Sequence, residues 1–150
     1  MNSLAIMVSW LVVLAPVARA DCGAAERTLF SCLTAKDMRV EVCNFGQTIQ
    51  YSFGNPREEP EVAISVPIKR VTGESCYACG RYISSSVNIP NGDTIYRVSW
   101  SVDKTNTEAP SEGGVEVVIN GESRTNILCA SEPIIGNIEG IAFNEPVDGK

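Results

Sequence analysis

Histidine is absent from the 150-residue chain. With it goes the side chain that most often serves as a general base near neutral pH. Basic residues are scarce as well, 12 Lys and Arg against 18 Asp and Glu, for a net charge of −6. So acidic a chain has no electrostatic footprint for a phosphate backbone, which excludes nucleic acid as a partner. No Gly-x-Ser-x-Gly elbow, no His-based metal motif and no phosphate-cradling glycine loop ahead of a helix occurs, so the signatures of the common hydrolase, metalloenzyme and nucleotide-binding classes are missing. A carboxylate pair for glycoside cleavage has no fixed spacing. Glu58, Glu59 and Glu61, however, cluster in a Pro-containing stretch that reads as solvated acidic surface. No enzymatic activity and no cofactor is expected.

Long apolar runs are lacking too, except for one at residues 4–16. That run is shorter than the roughly 18 to 20 residues needed to cross a bilayer. Ala18-Arg19-Ala20 follows it with small residues at the positions a signal peptidase reads. Residues 1–20 are therefore expected to be a cleaved secretory signal peptide and residues 21–150 one β domain with an irregular tail from about 130. Loss of Arg19 leaves 11 basic against 18 acidic residues, a charge of −7. The expected location is periplasmic or secreted, with no membrane span after cleavage.

What is present in the mature part is cysteine. Cys22, Cys32, Cys43, Cys76, Cys79 and Cys129 all follow the leader, and an even count in an oxidising compartment points to three disulfides. Among the 15 pairings that six cysteines allow, hairpin proximity suggests Cys32–Cys43 and local spacing suggests Cys76–Cys79. Cys22–Cys129 would then tie the start of the domain to its last clear strand.

Between residues 28 and 129, short β-branched and aromatic runs alternate with polar residues and are separated by turn chemistry. The pattern predicts about eight antiparallel strands, at 28–33, 38–44, 48–53, 61–66, 81–89, 94–103, 114–120 and 123–129. Asn91-Gly92, Asn120-Gly121 and Phe45-Gly46 supply hairpin turns. Period two places Ile49, Tyr51 and Phe53 on one face of their strand, and Tyr96, Val98, Trp100 and Val102 on one face of theirs. Gln50, Ser52, Arg97 and Ser99 point the other way. The fold class is all-β, an antiparallel meander that closes into a small barrel or a two-layer sandwich. A short helical turn is expected near 21–27, and the apolar stretch 134–143 is expected to dock as an edge strand.

Cys76-Tyr77-Ala78-Cys79 has the spacing of a thiol oxidoreductase. Such chemistry needs a helix N-terminus to depress one thiol pKa, whereas Gly80-Arg81-Tyr82 leads into a β-patterned run. Zinc is disfavoured, since no histidine is available and an oxidising compartment pairs the cysteines. Tyr82, Tyr96 and Trp100 could form a sugar-stacking platform, but strand parity assigns Tyr96 and Trp100 to the core. The polar loops 54–60 and 104–113 are exposed segments of the kind that carry binding residues on a rigid scaffold.

Leu29-Phe30-Ser31-Cys32, Val40-Glu41-Val42, Ile49-Gln50-Tyr51, Cys79-Gly80-Arg81-Tyr82 and the late Cys129 together resemble the periplasmic and membrane-bound inhibitors of C-type lysozyme. The resemblance covers about half of the mature chain. It implies a small exported β-barrel that blocks the lysozyme cleft with loop residues, including a serine from a Ser-Gly-x-x-Tyr motif. Here a cysteine replaces that serine and one residue fewer precedes the tyrosine, so only Gly80 and Tyr82 match. With Arg81 and Lys104 they form the expected ligand-binding set, and a basic protein such as lysozyme is the expected partner, steered by the acidic surface. The alternatives are thiol–disulfide exchange at Cys76 and Cys79 and a purely structural envelope component.

Overall fold

The computed structural model describes residues 22–23, 25, 27–106, 108–130, 133–138 and 143. The expected leader lies outside them. Among the described residues no helix is long and apolar enough to cross a membrane.

Two five-stranded antiparallel sheets face each other. The first is a meander of β1 (Arg27–Leu33), β2 (Arg39–Asn44), β3 (Thr48–Gly54) and β4 (Val62–Pro67). A 3-10 turn at Ile68–Arg70 then carries the chain across to the second. There β5 (Thr72–Cys76), β6 (Tyr82–Asn91), β7 (Thr94–Asp103), β8 (Glu112–Ile119) and β9 (Glu122–Leu128) pair in sequence order. The chain finally returns to the first sheet as β10 (Ile135–Gly136), beside β1. The architecture is a sandwich. The two sheets do not close on each other, so the barrel implied by the lysozyme-inhibitor resemblance is not formed.

All eight expected strands occur with ends within two residues of those expected, and the strand docking of the 134–143 stretch occurs at 135–136. Thr72-Gly73-Glu74-Ser75-Cys76, an additional edge strand, carries little β propensity and offers no apolar alternation. Asn120 and Gly121 both have positive φ, 52° and 79°, and close the β8–β9 hairpin with two residues as a type I′ turn requires. At 21–27 the described residues show the Ala25 amide donating to the Cys22 carbonyl at 2.7 Å; residues 21, 24 and 26 lie outside them.

The core fills the space between the sheets. Val40, Val42, Ile49 and Tyr51 from the first sheet meet Val87, Ile89, Val98 and Val115 from the second, all 0 or 1% exposed. Tyr51 stacks on Tyr96 with ring centroids 4.6 Å apart, joining β3 to β7. Trp100 also points inward, as parity predicts, and lies under β10: a Cβ added to Gly136 would meet the indole at 2.5 Å. A sugar-stacking platform built from Tyr96 and Trp100 is thereby excluded, since both pack against the core.

Disulfides join Cys22 to Cys43, Cys32 to Cys129 and Cys76 to Cys79. The local pair is as expected and the other two are exchanged. Strand register explains the exchange. Cys32 lies opposite Val40 and Cys43 opposite Thr28, so the two cysteines sit about 10 Å apart along the β1–β2 hairpin, beyond bridging reach. Cys129 is instead brought to β1 by its bridge to Thr34 and by the Ala130 amide, which donates to the Leu33 carbonyl at 2.7 Å. That disulfide fastens the end of the second sheet to the first.

Candidate functional site

The outer face of the second sheet has two kinds of polar row. In the first, side chains are linked from strand to strand. Asn88 Nδ2 donates to Thr72 Oγ1 at 3.1 Å, Arg97 Nε to Asn88 Oδ1 at 3.0 Å, and Arg97 also to Glu116 Oε2 at 2.7 Å. The Ser123 hydroxyl, followed by Arg97, holds the Glu116 carboxyl below its usual range against the opposing effect of desolvation. This ladder crosses all five strands and ties them through cross-strand pairs.

Toward the end of the sheet where β6 starts and β7 finishes, the next rungs are Ser86 opposite Ser99 and Ser84 opposite Ser101. Gly114 continues the first rung and Glu112 the second. Glu74 and Cys76 flank them on β5. Because these outward side chains are so short, the face sinks into a trough of about 970 Å³ that runs across the strands. Pro110 and Ser111 of the 104–111 loop, together with Leu128, Ala130 and Ile134, build its rim. Gly114 has no room for a side chain, since a Cβ there would lie 2.5 Å from the Ile127 carbonyl oxygen of β9.

Beyond the serine rungs lies the end of the sheet, and here the expected ligand-binding residues meet. Tyr82 is opposite Asp103, the Lys104 amide donates to the Arg81 carbonyl at 3.1 Å, and Lys104 Nζ donates to the Tyr77 carbonyl at 3.2 Å. Gly80, with φ of +65°, turns the chain out of the Cys76–Cys79 disulfide loop and into β6. Gly80, Arg81, Tyr82 and Lys104 thus share one end of the second sheet with the 104–111 loop. Tyr82 is 46% exposed and Arg81 lies 5.9 Å from its ring centroid. The 55–61 loop belongs to the first sheet and lines no part of the trough.

Asp103 organises this end. Its carboxylate is 5% exposed and accepts from Arg81 Nε at 2.6 Å, from a second Arg81 nitrogen, and from the Thr105 amide and hydroxyl at 2.9 and 2.7 Å. The Arg81 hydrogen bond, ahead of those from Thr105, holds the carboxyl well below the usual carboxylate range. A lowered folded-state pKa stabilises above the unfolded value and is lost as pH falls below it. The stability gap between wild type and Asp103→Asn should therefore be constant from neutral pH down to about 4 and shrink in more acidic solution. Urea titrations at several pH values check this; a gap that widens on acidification contradicts it.

The serines and Gly114 escape a motif search. The signal available in the sequence is the Ser84-Ser85-Ser86 run together with Ser99 and Ser101 at outward parity, but only strand register shows that they adjoin. Ser101 and Lys104 also have the Ser-x-x-Lys spacing of some acylating enzymes. That spacing brings the two side chains together on a helical turn, whereas β7 is extended and separates them by about 10 Å. Cys76 and Cys79 bridge the β5–β6 connection, away from any helix N-terminus among the described residues. Insulin reduction is accordingly expected to be at background for wild type and Cys76→Ser alike, and turnover by wild type alone would establish the exchange reaction. Cys22, Glu41 and Cys43 place possible ligand atoms close together, but their two sulfurs are consumed in a disulfide. No protein-family model, curated protein or solved structure matches the chain.

Proposed function

We propose that the mature chain is an exported, non-enzymatic binding domain that holds a protein or cell-envelope ligand over the open end of its second sheet. The observation that carries this reading is the trough beside the Arg81, Tyr82 and Lys104 cluster. A concave surface flanked by loops on a rigid β scaffold is the usual setting for a ligand. Three disulfides and the leader-like residues 1–20 support export to the periplasm or beyond, where thiols are kept oxidised.

A basic partner suits a mature charge of −7 (11 − 18), and C-type lysozyme is the concrete case. Purified mature protein should slow lysozyme turnover on cell-wall suspensions at low ionic strength, with the effect fading as salt screens the attraction. Ser86→Trp, which fills the trough from an outward position, should relieve most of the inhibition. No inhibition by a large molar excess across several lysozymes removes lysozyme as the partner, and full inhibition by Ser86→Trp moves the contact off the trough.

A further inference from the structure

We infer that the trough receives an extended, lysine- or arginine-bearing segment of a partner protein, lying across the strands of the second sheet. The inference rests on the binding-domain reading above and specifies what the bound part of the partner must look like.

Three features of the trough lead to it. First, its floor offers unused hydrogen-bonding capacity. In the neighbouring ladder Thr72, Asn88, Arg97, Glu116 and Ser123 are hydrogen-bonded to one another. By contrast, no side-chain hydrogen bond within the described residues engages the hydroxyls of Ser84, Ser86, Ser99 and Ser101, although Ser75 and Ser85 bond to each other at 3.1 Å. Each hydroxyl can both donate and accept, which suits the amides and carbonyls of a peptide backbone. Second, the dimensions fit a chain. Five strands spaced about 4.8 Å apart give a length of about 19 Å, or five to six residues of extended peptide.

Third, the charge has one sign. The ionisable side chains that line the trough are Glu74 and Glu112, and no Lys or Arg lines it among the described residues. Neither carboxylate has an ion-pair partner among the described residues. Both are exposed, Glu74 on the edge strand β5 and Glu112 at the start of β8. On the same sheet Arg97 is engaged with Glu116 and Arg81 with Asp103, and Lys104 Nζ donates to the Tyr77 carbonyl. A peptide with cationic side chains would find a carboxylate toward each side of the serine floor, and an acidic or neutral segment would leave both unpaired.

The test is fluorescence anisotropy of the mature protein with three labelled probes: an alternating lysine–serine hexapeptide, its glutamate–serine counterpart and a chito-oligosaccharide. The lysine peptide should bind more tightly than either of the others, and more weakly as salt is added. Glu74→Gln with Glu112→Gln should weaken it about fivefold, the scale of two exposed ion pairs, and Ser86→Trp should abolish it while circular dichroism remains that of wild type. Equal affinity in the double glutamine variant overturns the inference. Binding of the acidic peptide or the sugar in its place, sensitive to Ser86→Trp, overturns the inference and leaves the binding-domain reading standing. Failure of all three probes to bind overturns the inference and counts against the trough as a binding site.

Discussion

Replacing Cys32 and Cys129 together by serine is expected to cost the fold about 4 to 5 kcal/mol, the entropy of closing a loop of roughly a hundred residues in the unfolded chain. The two cysteines are separated by 97 positions, whereas Cys76 and Cys79 are separated by 3, so the same treatment assigns the small loop about 2 kcal/mol. Location reinforces the order. Cys32 is 3% exposed and belongs to the core cluster, so its serine replacement also buries a hydroxyl, and the bridge fastens β1 to the end of β9. The Cys76–Cys79 loop lies at the sheet end, with Cys79 exposed. Thermal melts should show a fall of 10 °C or more for the Cys32 and Cys129 double variant, on the order expected for a domain of this size. The Cys76 and Cys79 double variant should fall clearly less. Equal falls would mean that constraint of the unfolded chain does not set the contribution of these disulfides.

The same bridge shows where sequence reading stops. Hairpin adjacency suggests Cys32–Cys43, and only the pairing of Cys32 with Val40 and of Cys43 with Thr28 reveals that the two lie at opposite ends of that hairpin. Strand identity was legible because apolar alternation at positions such as Ile49, Tyr51 and Phe53 is a local property. Register across strands is not local. The trough depends on it entirely, since an outward serine on a β-strand is ordinarily solvated surface. Ser86 and Ser99 acquire their meaning from lying side by side with Gly114 next in the row. Gly80, Arg81, Tyr82 and Lys104 could be placed together from the sequence, because the first three lead into β6 and Lys104 follows β7 in a hairpin marked by Gly92, although its two-residue turn is Gly92-Asp93 and not the Asn91-Gly92 pair that the sequence suggests.

Truncation of Phe30 is the other change with a large expected effect, and it reaches the trough from beneath. Phe30 is on β1, fully buried, and its ring lies against Gly113 of β8, where an added Cβ would come within 3.0 Å of Cε2 and 3.1 Å of Cζ. Phe30→Ala should cost about 3 to 5 kcal/mol through lost burial and the cavity left behind. Gly113→Ala should cost about 1 to 3 kcal/mol in the wild type, since the ring must give way to the new methyl. In a Phe30→Leu background the outer ring atoms are gone, so the same Gly113→Ala change should cost less, and the double variant should be more stable than the sum of its parts by about 1 kcal/mol or more. Urea titrations of the four proteins decide this, and an unchanged cost in both backgrounds would mean that the Ser99 carbonyl, 3.2 Å away on the neighbouring strand, confines the site in place of the ring. The neighbouring glycine should behave differently. Gly114 faces outward, and its obstruction is the Ile127 backbone, which no side-chain truncation relieves. Gly114→Ala should therefore destabilise equally with Phe30 or Leu at position 30. Gly113 thus admits the ring that braces β8 from inside, and Gly114 admits the close approach of β9 on the trough side, so a binding defect from Gly114→Ala should come with loosened β8–β9 pairing, whereas Ser86→Trp should block the trough on an intact sheet.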